Sequence, residues 1–252
     1  MAKLKMLGMI LGMSVGMCSI ALAQPLRIAT EGAYPPFNFV DEKGELAGFD
    51  VDIAKALCAD MDRQCTFVAV PWADIIGGLQ ASNYDVIVAS MAYSDERAEL
   101  VDFTEPYYRS YSAFVADPSN FAETTPDALK GQRIATNEGT IQSEFLTKYY
   151  PDSEILLTID QPAAYKLLAS GAADLMMGDA IEQLSFLESA EGAAFSYIGD
   201  PVTGDFVQTS ARIAVHKGDA ALLEAINDSL KNIKLDGTYD RLNAAYFPFS
   251  ID

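Results

Sequence analysis

The sequence "RIATEG" at residues 27–32 occurs a second time, with one insertion, as "RIATNEG" at residues 133–139. In each copy an apolar run leads into a polar turn that contains a glycine. This pattern is typical of a buried strand that ends at a tight turn before a new segment. The two copies therefore predict two α/β units of similar design within one chain.

Short apolar segments alternate with segments of helical periodicity on both sides of these copies. The predicted strands are residues 26–30, 66–70, 85–89, 113–116, 133–136, 155–158, 174–177, 195–198 and 212–215. The predicted helices lie within residues 50–61, 73–82, 94–101, 140–150, 162–170, 179–189 and 221–235. Such βαβα order predicts parallel sheets covered by helices. Residues 115–131 are interpreted as a loop with a short helix.

Composition restricts the classes of partner. The 252-residue chain carries a formal charge of −19 and has a pI of about 4.2. An acidic surface disfavours nucleic acids and anionic membranes, which both select Lys and Arg. It is compatible with neutral or cationic small molecules. The chain has one histidine, His216, and no CxxC pattern, so we expect no transition-metal site and no cofactor.

The first 23 residues have the pattern of a signal peptide. Lys3 and Lys5 precede an apolar run over residues 6–20, and Ala-Leu-Ala at 21–23 is a cleavage site. We therefore expect export and a mature chain that begins at Gln24. Removal of the two lysines takes the charge from −19 to −21. Lipidation at Cys18, as in a lipoprotein, is the alternative to cleavage after Ala23. It is the weaker prediction, because Met17 stands where a lipoprotein signal requires a small residue.

Two cysteines, Cys58 and Cys65, remain after cleavage. An even pair in an exported protein favours a disulfide. Two free, buried thiols are the alternative.

The helix start "SDERAE", residues 94–99, contains a cation in an unfavourable place. Ser94 is a good N-cap, and acidic residues suit the first turn. Arg97 there lies beside the positive end of the helix dipole. A bound anion would remove the conflict, and a guanidinium binds a carboxylate with two parallel hydrogen bonds. The alternative is an ordinary ion pair with Asp95 or another acid.

Four further residues follow predicted strands, where open α/β sheets bind their ligands. Thr140 begins a helix and offers an anion site, or else belongs to an ordinary turn. Asp179 could accept hydrogen bonds from an ammonium group, or simply cap the next helix. Trp72, the single tryptophan, could stack on a cation or pack in the core. Glu31 could be a binding acid or a solvated surface acid.

Longer motifs resemble one family, the periplasmic solute-binding proteins of ABC importers, in their polar amino-acid group. The resemblance covers residues 24–252. It rests on "GELAGFDVDIAKALC" (44–58), "YDVIVASMAYSDERAELVDFTEPYY" (84–108), "GTIQSEFL" (139–146), "LASGAADLMMGD" (168–179) and "DGTYDRLNAAYF" (236–247). The C-x6-C spacing is similar to the disulfide of histidine- and lysine/arginine/ornithine-binding members.

This resemblance implies the type II periplasmic-binding-protein fold, in which two α/β lobes are joined by a two-strand hinge. Lobe 1 is expected to comprise residues 24–110 and 210–252, and lobe 2 residues 111–209. The chain should cross between lobes near 109–114 and 205–211. The expected protein is periplasmic and monomeric, and it delivers its ligand to an inner-membrane ABC permease.

The resemblance also implies roles for individual residues. Arg97 binds the ligand α-carboxylate, Asp179 with Ser90 binds the α-ammonium, and Glu31 contacts the far end of the ligand side chain. Backbone N–H groups near Ala92 and Thr140 or Ile141 assist Arg97, and the rings of Tyr34 and Trp72 form walls. The implied ligand-binding set is Glu31, Tyr34, Trp72, Ala89, Ser90, Met91, Ala92, Arg97, Thr140, Ile141, Gln142 and Asp179.

An acid and an aromatic wall suit a cationic side chain, so the expected ligand is arginine, lysine, ornithine or an arginine-derived opine. Ala89, Ala92 and Ile141 stand where many members carry a hydroxyl, and fewer hydroxyls would suit a ligand substituted at its α-amine. A neutral polar amino acid is an alternative ligand. A cyclohexadienyl dehydratase on the same fold, acting on prephenate or arogenate, is an alternative function. A sensory role beside transport is a third.

Overall fold

The computed structural model of the chain describes residues 24–204, 207 and 209–252. The signal peptide predicted over residues 1–23 lies outside them. The strands β1 to β13 are Leu26–Thr30, Ala33–Tyr34, Asn38–Val40, Leu46–Ala47, Cys65–Ala69, Val86–Ile87, Val101–Ser110, Ser112–Ala116, Arg133–Asn137, Glu154–Thr158, Leu175–Asp179, Ser196–Val202 and Thr209–His216. The helices α1 to α8 are Phe49–Asp60, Ile75–Gln80, Asp95–Leu100, Ile141–Tyr149, Gln161–Ala169, Ala180–Leu187, Ala220–Leu235 and Thr238–Tyr246.

Two five-stranded sheets organise the described chain. The first has the order β5-β1-β6-β13-β7, and the second has the order β10-β9-β11-β8-β12. We call the first sheet with α1, α2, α3, α7 and α8 lobe 1, and the second sheet with α4, α5 and α6 lobe 2. In each sheet four strands run in the same direction and one strand is antiparallel to them, β13 in the first sheet and β8 in the second. This confirms the predicted fold class.

The repeated "RIAT" sequence begins the equivalent strand of each lobe, β1 and β9. Arg27 Nη2 lies 2.6 Å from Asp85 Oδ1, and Arg133 Nη2 lies 2.6 Å from Asp174 Oδ1. The backbone N–H of each arginine also donates to the same aspartate at 2.9 Å. Each aspartate precedes the neighbouring parallel strand, so each pair aligns the starts of two strands. These exposed pairs specify register more than they add stability.

The chain passes from lobe 1 to lobe 2 between β7 and β8, at Ser110 to Ser112. It returns between Val202 and Thr209, a stretch in which residues 205, 206 and 208 are not described. The sequence predicts the first crossing near 109–114. Part of the predicted crossing near 205–211 lies outside the described residues.

Apolar residues on both faces of each sheet form the cores. In lobe 1, α1, α7 and α8 cover one face of the sheet through residues such as Phe49, Leu57 and Ile226. In lobe 2, Phe114 and Ile134 pack under α4 on one face, while Ala135 and Met176 lie on the opposite face. Because helices cover both faces of each sheet, side chains on both sides of a strand are buried. This explains why the strand sequences are nearly continuous apolar runs.

Four features differ from the sequence prediction. Helix α8, Thr238–Tyr246, was not predicted. β7 was not predicted, because Pro106 in a strand argues against one. The structure accommodates Pro106 opposite Arg212 at a β-bulge in the β13–β7 ladder. The short ribbon β2-β3-β4 was also not predicted. The short helix predicted within 115–131 was wrong, since the described residues 117–131 form turns and bends.

Cys58 and Cys65 form a disulfide that closes the loop after α1. Of the two alternatives drawn from the sequence, the structure therefore shows the bonded pair. In the described ranges, no helix has the length and apolar character needed to cross a membrane.

Candidate ligand-binding site

A cavity lies between the two lobes. Its lining residues are Glu31, Tyr34, Trp72, Ala89, Ser90, Ala92, Arg97, Asn137, Thr140, Ile141, Gln142 and Asp179. The structure thus brings together every residue of the set implied by the sequence except Met91. Asn137 lines the cavity in addition. The carboxyl ends of β1, β9 and β11 meet here, as expected for ligand sites in open α/β sheets.

Glu31 follows the last residue of β1 and is partly buried. Within the described chain its carboxylate forms no hydrogen bond or ion pair. Burial, and secondarily the negative charge of Asp160, raise the pKa of Glu31 to about 7. A buried acid without a partner favours a ligand that supplies positive charge.

Aromatic residues form the wall beside Glu31. Tyr34 stacks on Phe37 with ring centroids 5.9 Å apart, and Phe37 stacks on Tyr108 at 4.6 Å. Phe37 and Tyr108 are fully buried, so the exposed part of the Tyr34 ring rests on a rigid base. Burial, followed by the charge of Asp179, raises the pKa of Tyr34, which therefore stays a neutral phenol.

Arg97 is the cation of the site. Ser94 caps α3 by accepting from the Arg97 N–H at 3.2 Å, as the sequence predicted. Arg97 is 7% exposed, and its guanidinium donates to the carbonyl oxygens of Ala92 at 2.7 Å and Gly139 at 2.9 Å. Asp95 accepts instead from Tyr93, so the alternative of an Arg97–Asp95 pair does not hold. Burial lowers the pKa of Arg97, but arginine remains protonated in proteins.

Trp72 links the cation to the opposite lobe. Its ring lies 5.2 Å from the Arg97 guanidinium carbon, a cation–π distance. Its indole N–H donates to the Gly139 carbonyl at 3.1 Å. The same carbonyl of lobe 2 therefore accepts from two side chains of lobe 1.

Lobe 2 contributes a helix start to the same region. Thr140 and Ser143 form a capping box at α4, with both side chain-to-backbone bonds present. Ile141 and Gln142 follow, and Gln142 Nε2 donates to Ser112 Oγ at 2.9 Å. These contacts hold the first turn of α4 against the cavity.

Asp179 ends β11 and caps α6. Its Oδ1 accepts from the Ser110 hydroxyl at 2.8 Å and from the Ile181 N–H at 2.9 Å. Capping and cavity lining therefore occur together, although the sequence presented them as alternatives. Burial raises the pKa of Asp179 to about 6 and outweighs the hydrogen bonds, which act in the opposite direction.

Ser90 sits in the left-handed region at φ 53°. Its hydroxyl donates to Asp50 Oδ2 at 2.9 Å, and its N–H donates to the Tyr107 hydroxyl at 3.0 Å. Asp50 is fully buried and also accepts from Tyr107 at 2.6 Å and Asn38 at 2.8 Å. Burial raises the pKa of Asp50 to about 6. This network behind the cavity positions Ser90, and the sequence did not reveal it.

Ala89 and Ala92 flank Ser90 and place methyl groups on the cavity wall. Met91 is 0% exposed and packs in the core of lobe 1. Its backbone carbonyl accepts from the Arg212 N–H at 2.8 Å. The structure therefore does not bring Met91 to the cavity.

The described residues contain no group of three or more His, Cys, Asp or Glu that could hold a metal ion. The cavity instead combines one buried cation, Arg97, with one buried acid, Asp179, and one partly buried acid, Glu31. Such a set suits a zwitterion that carries a further positive charge.

Two lobes around a polar cavity define a class of proteins that enclose small solutes. The chain belongs to the bacterial extracellular solute-binding proteins, family 3, whose family model matches residues 26–249. This confirms the resemblance seen in the motifs. The protein is an amino-acid-binding solute-binding protein of the ABC-transporter type.

Among its relatives, the L-arginine-binding protein of Pseudomonas aeruginosa is 30% identical over 255 residues, covering 100% of this chain and 98% of that protein. The lysine/arginine/ornithine-binding periplasmic protein of Escherichia coli is 29% identical, covering 97% and 96%.

Among solved structures, an ancestral arginine-binding protein bound to arginine matches with a TM-score of 0.83 and 32% identity, covering 90% of this chain and 99% of that one. An ancestral amino acid-binding protein, a precursor of cyclohexadienyl dehydratase, matches with a TM-score of 0.78 and 29% identity, covering 88% and 95%.

Proposed function

We propose that the protein is the periplasmic substrate-binding component of an ABC importer for a cationic amino acid. The ligand is arginine, lysine, ornithine or an arginine-derived opine. The observation that carries the proposal is the set of one buried cation, one buried acid and one partly buried acid on a single interlobe cavity. An amino acid with a cationic side chain carries the complementary charges.

The proposed contacts follow from these charges. Arg97 binds the α-carboxylate with its guanidinium, and Asp179 with Ser90 binds the α-ammonium. A hydrogen bond to a charged group contributes about 1.5–3 kcal/mol. Three such contacts and an aromatic wall are enough for a micromolar affinity of about −8 kcal/mol after the costs of association.

Glu31 is the proposed selector of the side chain. Its carboxylate has no partner in the described chain. A cationic group of the ligand would pair with it and remove the free-energy cost of leaving this acid unpaired. A neutral side chain leaves that acid unpaired, and the site rejects it. Two relatives are named as an L-arginine-binding protein and a lysine/arginine/ornithine-binding protein, and these names support the assignment.

Closure of the two lobes on the ligand is the proposed mechanism of capture. A ligand that contacts Arg97 in lobe 1 and Asp179 in lobe 2 favours the closed population. We place the lobe boundaries at 110/111 and 209/210. The protein is proposed to act as a periplasmic monomer that docks on an inner-membrane permease.

The test is titration of unfolded-and-refolded protein, free of copurified ligand, by calorimetry and by the fluorescence of Trp72. The ligands are L-arginine, L-lysine, octopine, L-glutamine and L-glutamate. Saturable binding of cationic ligands with little response to glutamine or glutamate is expected. Binding of glutamine or glutamate alone would overturn the cationic assignment, and folded protein that binds none of them would overturn amino-acid binding.

A dehydratase is the second candidate, because a solved relative is a precursor of cyclohexadienyl dehydratase. A raised pKa of about 7 would also suit Glu31 as a general acid. We favour binding over catalysis because an arginine, two acids and an aromatic wall already match a cationic amino acid. Release of phenylpyruvate from prephenate, or phenylalanine from arogenate, would support the enzyme instead.

A further inference from the structure

Asn137 is the residue of the cavity that the sequence did not indicate. It ends β9, lines the cavity and is 5% exposed. Its side-chain oxygen Oδ1 has no hydrogen-bond partner among the described residues. Buried amide oxygens in folded proteins are rarely left without a hydrogen bond. An unpaired oxygen on a residue that lines a binding cavity therefore indicates that a ligand supplies the donor.

The turn does not need the Asn137 side chain. Asn137 pairs with Thr158 in the β9–β10 ladder, and its backbone carbonyl accepts from Thr140 Oγ1 at 2.7 Å. The next N–H, that of Glu138, donates to the Thr158 carbonyl at 2.9 Å. Asparagine side chains in turns usually form hydrogen bonds with the nearby backbone. In this turn the Thr140 hydroxyl and the Glu138 N–H form the hydrogen bonds instead. Backbone hydrogen bonds therefore fix the position of Asn137, and its side-chain amide takes no part in them.

The internal repeat relates Asn137 to Glu31. Glu31 follows the first "RIAT", at residues 27–30, and Asn137 follows the second, at residues 133–136. They occupy equivalent ends of β1 and β9 and line the same cavity from opposite lobes. The Glu31 side chain therefore lines the cavity from lobe 1, and the Asn137 side chain lines it from lobe 2.

The charges around this space favour a cation with several donors. Asp160 lies near enough to Glu31 to raise the pKa of Glu31 by charge repulsion. Among the described residues that line the cavity, Arg97 is the one with a positive charge. Acceptors on opposing walls suit a guanidinium, whose five N–H donors are spread around a plane. An ammonium is a compact point charge with three donors.

We propose that Asn137 is a specificity-determining residue that accepts a hydrogen bond from the distal guanidinium of the ligand. The guanidinium bridges Glu31 of lobe 1 and Asn137 of lobe 2, so arginine and its guanidinium-bearing derivatives bind more tightly than lysine or ornithine. This inference rests on the proposed function and names the class of side chain that the site prefers.

The test compares wild type with Asn137→Leu, a change of similar shape that removes both polar atoms. Calorimetry at pH 8 measures L-arginine, L-lysine and L-norleucine, whose side chain has no polar end. Wild type should prefer arginine to lysine. In the variant, arginine affinity should fall about 10- to 100-fold, the arginine-to-lysine ratio should fall at least fivefold, and norleucine should bind no worse.

Asn120→Leu is the matched control. Asn120 is exposed on lobe 2, so this substitution should leave all affinities unchanged. If Asn137→Leu does not fold, as judged by circular dichroism, Asn137→Ala takes its place. An equal loss for all three ligands, or an unchanged arginine-to-lysine ratio, would overturn this inference and leave cationic binding intact. Wild type that binds no cationic amino acid would overturn the proposed function, and this inference with it.

Discussion

The indole N–H of Trp72 donates to the carbonyl oxygen of Gly139 at 3.1 Å, and this bond joins lobe 1 to lobe 2. Arg97 Nη2 donates to the same oxygen at 2.9 Å. Two donors of lobe 1 therefore converge on one carbonyl of lobe 2. In the proposed closure of the lobes, both bonds would stabilise the closed arrangement.

Trp72→Phe tests the contribution of the indole N–H to closure. Phenylalanine keeps an aromatic ring near Arg97 but removes the donor to Gly139. A hydrogen bond contributes about 0.5–1.5 kcal/mol, so we expect arginine dissociation to speed up about 2- to 12-fold. Surface plasmon resonance measures this rate without the tryptophan signal. An unchanged dissociation rate would show that the bond does not hold the lobes closed.

Glu31→Gln tests the selector. Glutamine keeps the size of the side chain and removes its charge, so the favourable interaction with a ligand cation is lost. We expect arginine and lysine affinities to fall about 10- to 100-fold, while glutamine binds no worse. Parallel calorimetric titrations measure the three constants. Asp41→Asn, at an acid of the β3–β4 turn, is a matched control. Equal losses for glutamine and arginine would assign Glu31 a merely structural role.

The pH dependence of binding has a definite sign. The pKa of Glu31 is about 7 without ligand, and a ligand cation requires the ionised carboxylate. We therefore expect arginine affinity to fall as the pH decreases from 8 to 6, approaching tenfold per pH unit below pH 7. Asp179, with a pKa of about 6, extends the loss at lower pH. Calorimetry at several pH values should give a flatter profile above pH 6.5 for Glu31→Gln.

Stability of the ligand-free protein should depend on the same carboxyl in the opposite sense. The pKa of Glu31 is raised from 4.5 to about 7 on folding, so the folded state binds the proton more tightly. This stabilisation is present below about pH 4.5 and is lost as the pH rises to about 7. We expect Glu31→Gln to exceed wild type in stability at pH 8 by about 1–3 kcal/mol. Urea unfolding at pH 5 and pH 8 checks the change, and no pH-dependent difference would contradict it.

Much of the site could be predicted because its residues follow strand ends. Glu31, Arg97 and Asp179 were placed by apolar runs, a helix cap and the rule that ligands bind beyond parallel strands. Asn137 was missed because asparagine is common in turns for local reasons. The signal that could have identified it is its position after the second "RIAT", equivalent to that of Glu31.

Other features could not be predicted because they depend on contacts between distant segments. Strand β7 contains Pro106, and the bulge that tolerates this proline is formed with Arg212, far along the chain. Asp50 belongs to the amphipathic pattern of α1 and carries no local sign of burial among polar partners. The "RIAT" repeat, in contrast, is a local signal, and it correctly indicated two units of similar design.

Removal of the disulfide should lower stability without changing selectivity. Cys58, in the last turns of α1, and Cys65, the first residue of β5, are seven residues apart and do not line the cavity. Closing so short a loop stabilises by about 2 kcal/mol in the chain-entropy model. We expect the double variant Cys58→Ser with Cys65→Ser to lose about this much in urea unfolding and to keep its arginine-to-lysine ratio. A changed ratio would mean that the disulfide loop influences the site.

Asp50→Asn tests whether the network behind the cavity positions Ser90. Asp50 accepts from Ser90, Tyr107 and Asn38, and an amide places an N–H₂ group where one of these donors points. We expect a loss of about 1–3 kcal/mol in stability and weaker binding of the ligand α-ammonium. Ser90→Ala alone should weaken binding with little loss of stability. If Asp50 acts on the ligand through Ser90, the double variant should bind no worse than Ser90→Ala, whereas additive losses would show that the two residues act independently.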